Sequence, residues 1–415
     1  MSVTTQHGHA EGIIDLARGD PGPDLLPAAL LRDAAARVTG RLDPDLLQYG
    51  FEPGDIGARG ALATWLAGEG AGVVAPERLF LTAGASVALH LICTLFTRPG
   101  DRVLVADPTY HLALAQFADH GLHVEGIASD ADGVDPEALD EALRAAPTAL
   151  VYLVPSFANP TGVTLGAERR AAVVEVTARH GVRLVADEVY RLTGFTGDDA
   201  HAADGEIPTP PGSLGHPDAV HVLSLNSVSK VLAPGLRLGW VEGDERDLAR
   251  LAASGLLRSG GGMNPLTAAL VRDAIETGAL AAHLRSLRAR LRERHAALTA
   301  ALRGDLPSAR FTPARGGYFV WLRVPGLDAA APAARAAFTR HGVAVAPGDA
   351  FVATPANDRA AVPGRLDARE HLRLCFAHQR PEALREGVAR LAAALETLEH
   401  GRARADAGDR ATRPT

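Results

Sequence analysis

Five short apolar runs punctuate the first half of the chain: RLFLTA (78–83), DRVLVADP (101–108), ALVYLVP (149–155), VRLVADE (182–188) and AVHVLSLNS (219–227). Their apolar residues fall on consecutive rather than alternate positions, so both faces of each strand are buried. The intervals between them are long enough for crossover helices, and segments such as SVALHLICTLF (86–96) and GAERRAAVVEVTARH (166–180) read as those helices. The pattern predicts an α/β fold, a mainly parallel sheet covered by helices. IPTPPGSLGHP (207–217) reads as loop, and no internal repeat is visible.

Beyond about residue 265 the pattern changes. Residues 266–304 are strongly helical, with a break expected around Thr277 and Gly278. GGYFVWLRVPG (316–326), VAVAPGDAFV (343–352) and HLRLCFAHQ (371–379) then suggest a compact α+β unit, closed by the helix PEALREGVARLAAALETLEH (381–400). The expected organisation is an N-terminal arm joining the smaller domain (1–45), a large domain (46–290), a C-terminal small domain (291–400) and a loose polar tail (401–415).

The 415 residues, 47% hydrophobic and 22% charged, are enough for a sizeable core and two domains. A net charge of -7 gives no bulk attraction for nucleic acid or an anionic membrane, so the expected partner is a small molecule. Cys93 and Cys375 lie in apolar contexts and read as buried free thiols, and no metal-ligand spacing is present. The opening MSVTTQHGHAEG lacks a basic region followed by an apolar core, and no apolar run of about 18 residues occurs, so the expectation is cytoplasmic.

In a wound sheet of this kind ligands collect at the carboxyl ends of strands, and polar residues stand where the apolar runs stop. Thr82, Ala83, Gly84, Ala85 and Ser86 lead from a strand into a helix, leaving free N–H groups that suit a phosphate. No GxGxxG or GxxxxGK[ST] pattern accompanies them, which gives a dinucleotide or ATP little support. Tyr110 follows Pro108 and is placed either to stack on a planar ring or to fill the loop, and His111 is a candidate proton carrier or an exposed loop residue. Asn159 before Pro160 sits in a turn that can present its amide. Asp187, Glu188 and Tyr190 close an apolar strand, where a carboxylate in dry surroundings needs a donor or charged partner. In SLNSVSKVLAPGLRLGW (224–240), Lys230 stands with Ser227, Ser229 and Arg237 among apolar residues. It is either a surface lysine or one held neutral enough to attack a carbonyl.

Taken in order, LLQYG (46–50), TAGAS (82–86), DPTY (107–110), NPTG (159–162), DEVY (187–190), SVSKVLAPGLRLGW (227–240), GGYFVW (316–321) and LRLCFA (372–377) resemble the fold type I pyridoxal-phosphate (PLP) enzymes. The match is to the class I/II aminotransferases, in the branch of 2-aminoadipate and broad-specificity aminotransferases. The resemblance runs from about IIDLARGDPGPDLLP (13–27) to the last helix before residue 400, and implies a seven-stranded sheet and a homodimer with shared active sites. It makes Lys230 the lysine that forms an aldimine with pyridoxal 5'-phosphate and carries the proton between substrate and cofactor. Asp187 becomes the partner of the pyridine nitrogen, Asn159 and Tyr190 those of the ring 3-oxygen, and Tyr110 the stacking ring. Ala85, Ser86, Ser227, Ser229 and Arg237 become the phosphate cup, with Tyr49 reaching the neighbouring subunit's phosphate. Arg373 is similar to the arginine that grips the substrate carboxylate, with Asn159 beside it.

The chain departs from the family pattern at several points. Arg18-Gly19 stands where paired glycines are common, Ser86 replaces a frequent glutamine, His111 is a local choice, and Tyr318 in GGYF replaces a methionine. Gly19 and Tyr318 are therefore expected to line the substrate pocket. Arg18 either narrows the site, binds a second acidic group or faces solvent. The leading expectation is transamination between an L-amino acid and a 2-oxo acid. Elimination, replacement, cyclisation or oxidation in the same fold is the alternative. A non-catalytic regulator ranks last, because regulators of this branch carry an added N-terminal DNA-binding domain and only about a dozen residues precede IIDLARGDP.

Overall fold

The computed structural model describes residues 12–71, 74–195, 219–353 and 368–411. The expected loop at 207–217 and the first eleven residues lie outside them.

Thirteen strands occur among the described residues. In chain order they are Ile14–Asp15 (β1), Leu79–Thr82 (β2), Arg102–Asp107 (β3), His123–Asp130 (β4), Gly133–Val134 (β5), Leu150–Leu153 (β6) and Arg183–Asp187 (β7). Val222–Ser227 (β8), Gly239–Glu242 (β9), Phe319–Arg323 (β10), Val343–Ala344 (β11), Ala346–Pro347 (β12) and His371–Cys375 (β13) complete the set.

The large sheet has eight strands in the order β2-β9-β8-β7-β6-β3-β4-β5. Strands β3, β6, β7 and β8 run parallel, as their doubly apolar runs predict, with the half-exposed β4, which no such run announced, parallel beside β3, while β9 runs antiparallel between β8 and β2. The eighth strand, one more than the family pattern implies, is the two-residue β5, a hairpin return that pairs only with the end of β4. The helix break falls where expected: Pro265–Glu276 stops, Gly278 takes φ 73°, and Ala279–Asp305 begins. Glycine suits that left-handed position because it has no Cβ to clash.

The carboxyl ends of β2, β3, β6, β7 and β8 all meet one edge of the sheet, ending at Thr82, Asp107, Leu153, Asp187 and Ser227. At that edge Gly239 pairs with both Thr82 and Ser227. A Cβ on Gly239 would sit 2.9 Å from the Ala85 nitrogen and 2.6 Å from the Asn226 carbonyl oxygen, so only glycine lets the helix Ala85–Phe96 start so close to the sheet.

The second layer is a three-stranded antiparallel sheet, β10-β13-β12. One apolar cluster joins the two regions, running from Phe80 and Leu223 through Leu284 and Leu291 on the long helix to Phe319 and Leu372. The opposite face of the large sheet buries Leu104, Val151, Leu184 and Val173. Burying such a side chain stabilises by about 1.5–3 kcal/mol.

The N-terminal segment is fastened to the C-terminal part. β1 pairs parallel with β11, and the Cys375 N–H donates to the Leu16 carbonyl at 2.7 Å. Asp24 accepts from Arg294 at 2.7 Å and from Arg290. The final helix, Pro381–Ala411, runs past the expected boundary at residue 400. Residues 401–411 continue it because Ala and Arg are good helix formers and no proline intervenes before Pro414.

Burial alone would raise the Asp24 carboxyl, but the hydrogen bond and charge of Arg294, with Arg290 behind them, outweigh it and hold the carboxyl below its usual value. This stabilisation is complete above about pH 4, the unfolded value, and fades as pH falls through the lower folded one. Asp24→Ala strands Arg294, whose side chain is 2% exposed, without a carboxylate. The expected loss is about 3 kcal/mol, the low end for a buried pair because Asp24 is partly wetted. Urea unfolding at pH 7 and pH 3 measures it, and the difference between wild type and variant should shrink at the lower pH.

Candidate active site

Two ends of a site form at the shared strand edge. At the first, the helix Ala85–Phe96 begins after Gly84, held at φ 96°, with no side chain capping it. Arg237 lies beside it in a left-handed conformation, φ 48°, and donates to the Ala83 carbonyl at 3.3 Å. A Cβ on Gly84 would meet Arg237 Nη2 at 2.7 Å, so glycine opens this cradle. The Ser227 and Ser229 hydroxyls lie 2.9 Å apart, and Ser227 Oγ accepts from the Ser229 N–H. Arg237 is in no ion pair among the described residues. A positive helix end, a guanidinium and hydroxyls together suit an anion such as phosphate.

At the second end, Lys230 closes a short 3-10 turn, Val228–Lys230, directly after β8. Its Nζ donates to the Gly19 carbonyl at 2.8 Å and lies 5.5 Å from the ring centres of Tyr190 and Tyr318. The Tyr318 hydroxyl donates to the Lys230 carbonyl at 2.6 Å. Burial pushes the Lys230 amine down to about 8. Such a shift enlarges the neutral, nucleophilic fraction at ordinary pH.

Asp187, at the end of β7, is 6% exposed. It accepts from the Tyr152 hydroxyl at 2.7 Å, and burial pushes its carboxyl up to about 6. Tyr110 packs in the same apolar surroundings, where burial, reinforced by the charge of Asp187, lifts its phenol to about 12. Arg373, on β13, is 3% exposed. Its Nη1 donates to Asn159 Oδ1 at 2.9 Å and its Nη2 to the Ala17 carbonyl, while Nε finds no partner. The guanidinium lies 4.3 Å from the Phe319 ring centre and 4.7 Å from that of Phe351. A Cβ on Gly19 would press on Phe319 at 3.1 Å, so glycine keeps this wall open.

Sequence-predicted residues thus gather into a phosphate-like cradle of Ala85, Ser86, Ser227, Ser229 and Arg237, and an inner group of Lys230, Asp187, Tyr110, Asn159, Tyr190, Arg373, Gly19 and Tyr318. Three residues behave differently. Tyr49 is 84% exposed, well outside the inner group of its own chain. Arg18 is tied through Nε to both oxygens of Asp20, at 2.8 and 3.0 Å. His111 is half-buried rather than exposed, and burial drives its imidazole down to about 4, so it is neutral at ordinary pH and ill-suited to carry protons there. Sequence reasoning missed Tyr152, whose signal was a lone hydroxyl in the apolar run ALVYLVP, and the aromatic wall of Phe319 and Phe351, which nothing in the one-dimensional pattern distinguishes from core.

The donor set fits pyridoxal phosphate. Asp187 is a buried carboxylate and Arg373 a buried guanidinium, and among the described residues neither has an ion-pair partner. A protonated ring nitrogen answers the first and a substrate carboxylate the second.

A family model for aminotransferase class I and II matches residues 11–391. The 2-aminoadipate transaminase of Thermus thermophilus is 31% identical over 93% of this chain and 91% of its own length. The uncharacterised HTH-type transcriptional regulator YdcR of Escherichia coli is 32% identical over 82% of this chain and 70% of its own. Among solved structures, that of LysN, the alpha-aminoadipate aminotransferase of Thermus thermophilus in complex with N-(5'-phosphopyridoxyl)-L-leucine, superposes with a TM-score of 0.79 at 29% identity, over 94% of each chain. The chain belongs to the class I and II aminotransferases, as a fold type I enzyme whose cofactor is pyridoxal 5'-phosphate.

In cofactor-free protein, acylation of Lys230 should rise with pH around a midpoint near 8, the value to which burial lowers its amine. Peptide mass analysis after brief labelling at graded pH reads this directly. A midpoint near the ordinary lysine value of about 10.4 would show the amine to be solvated.

Proposed function

We propose that this protein moves an amino group between an L-amino acid and a 2-oxo acid, with Lys230 as the covalent attachment point and proton carrier. The observation that carries the residue assignment is the lysine with a lowered amine pKa, set among a buried carboxylate and a buried guanidinium that lack opposite charges. When bound, pyridoxal phosphate supplies an aldehyde for an amine and a ring that takes up the electrons released at the substrate α-carbon.

The chain's residues do the rest. Asp187 holds a proton at the pyridine nitrogen, and Tyr152 steadies Asp187 through its hydroxyl. Tyr110 stacks on the ring, Asn159 and Tyr190 hold its 3-oxygen, and the cradle of Ala85, Ser86, Ser227, Ser229 and Arg237 takes the phosphate. Arg373 receives the substrate carboxylate on its planar fork and so orients the α-hydrogen toward Lys230. The Lys230 amine would accept that proton and carry it between substrate and cofactor. Gly19 and Tyr318 line the pocket, and Arg18, engaged by Asp20, narrows it from the rim.

The proposal includes a homodimer. Leu47, Tyr49 and Phe51 are 68%, 84% and 73% exposed on one short stretch, an apolar face suited to a second copy that would take Tyr49 to its phosphate. No helix among the described residues is long and apolar enough to cross a membrane. We place the protein in the cytoplasm, a site in keeping with two buried free cysteines.

A donor panel tests the reaction. One amino acid alone should bleach the visible band of the bound cofactor, and 2-oxoglutarate or pyruvate should restore it. Turnover of a substrate without any amino acceptor would instead assign elimination or a related outcome. Asp187→Asn should lower kcat/KM about 10- to 1,000-fold, matching a one- to three-unit loss of control over the ring nitrogen, while leaving the thermal midpoint near that of wild type. Arg373→Lys should raise KM for the amino donor more than it lowers kcat, because lysine lacks the two-pronged grip. Equilibrium sedimentation should find two chains per particle.

A further inference from the structure

Arg170 is 6% exposed on the helix Ala167–Arg179, between Asn159 and Asp187 in the chain. Its side chain makes a four-point clamp. Nε donates to the Leu165 carbonyl at 2.8 Å, Nη2 to the Pro155 carbonyl at 2.9 Å and to Ser156 Oγ at 2.7 Å, and Nη1 to Glu188 Oε1 at 2.9 Å. Three of these bonds grip the two feet of a hairpin: the Leu165 N–H donates to the Pro155 carbonyl at 2.9 Å, and the Ala158 N–H donates to the Val163 carbonyl at 2.8 Å. The tip of that hairpin carries Asn159, which touches Arg373. The fourth bond reaches the residue after Asp187, in an ion pair whose side chains are 7% and 0% exposed. Glu188 follows the last residue of β7, and its carboxylate meets Arg170 while that of Asp187 meets Tyr152.

We propose that Arg170 is a positioning residue that fixes Asn159 and Asp187 relative to each other, and through them the two edges of the pyridoxal ring. It rests on the reading that Asn159 and Asp187 hold those edges. Asn159 stands at the tip of the hairpin that follows β6 and Asp187 at the end of β7, and the Arg170 guanidinium is bonded to the feet of the first and the neighbour of the second. Its planar fork can satisfy carbonyls and a carboxylate at once, which a lysine cannot.

The test separates positioning from folding. Arg170→Met alone strands the Glu188 carboxylate, so it is paired with R170M/E188Q, which removes both buried charges, and with Ser156→Ala, which removes one bond. In cofactor-free protein, hydrogen exchange across 154–165 should quicken in R170M/E188Q while the thermal midpoint recovers relative to R170M. With cofactor bound, the pKa of its visible band should shift by about half a unit or more, and KM for the amino donor should rise about tenfold. Ser156→Ala should move the same readouts in the same direction by less, and Arg170→Lys should restore the midpoint but not the band. Unchanged exchange, band pKa and KM in Ser156→Ala and the double variant would overturn the proposal. If wild-type protein instead fails to bind the cofactor through Lys230, the underlying reading fails and not the clamp alone, because the exchange measurement on cofactor-free protein still reports on Arg170.

Discussion

Two charges of opposite sign, on Asp187 and Arg373, are buried in one site without being paired to each other. An unpaired buried charge is expensive, and the usual remedies are neutralisation or a partner. Here the fold supplies half-measures: one tyrosine hydroxyl for Asp187, and an amide, a carbonyl and two aromatic faces for Arg373. Each charge is kept dry enough to bind strongly and free enough to bind something else. Asp187 comes from a strand end of the large sheet and Arg373 from the middle of a strand in the small one, so it takes both sheets to build the site.

The parallel sheet sets the positions. Five strands ending at one edge place Thr82, Asp107, Leu153, Asp187 and Ser227 side by side, and the antiparallel β9 brings Gly239 back to that edge. A glycine there allows the helix end and the lysine turn to share a small volume.

Much of this was legible in the chain. Consecutive apolar positions gave β2, β3, β6, β7 and β8 but neither β4 nor β9, and the residues stopping each run supplied Lys230, Asp187, Asn159, Tyr110 and the Gly84 turn. Long-range pairing was less visible. The N-terminal Ile14–Asp15 pairs with Val343–Ala344 across more than three hundred residues, and two-residue strands carry no periodicity. Arg170 carried no signal of its own within the helical run GAERRAAVVEVTARH, because only the folded loop brings carbonyls to it. Arg18 had three open uses from sequence, and its bond to Asp20 depends on a local bend that composition does not encode. The C-terminal segment looked polar and therefore loose, yet alanine and arginine extend the helix.

The hydrogen bond from Lys230 to the Gly19 carbonyl has a bearing on how the two halves of the molecule sense each other. The N-terminal segment is anchored at one end by Asp24 and Arg294 and meets the lysine at the other. A covalent bond at that nitrogen, as proposed, would leave it fewer hydrogens to share, and the glycine oxygen would need another donor. That stretch of backbone would then lose its tie to the lysine turn, while its hold on the long helix through Asp24 and Arg294 would remain.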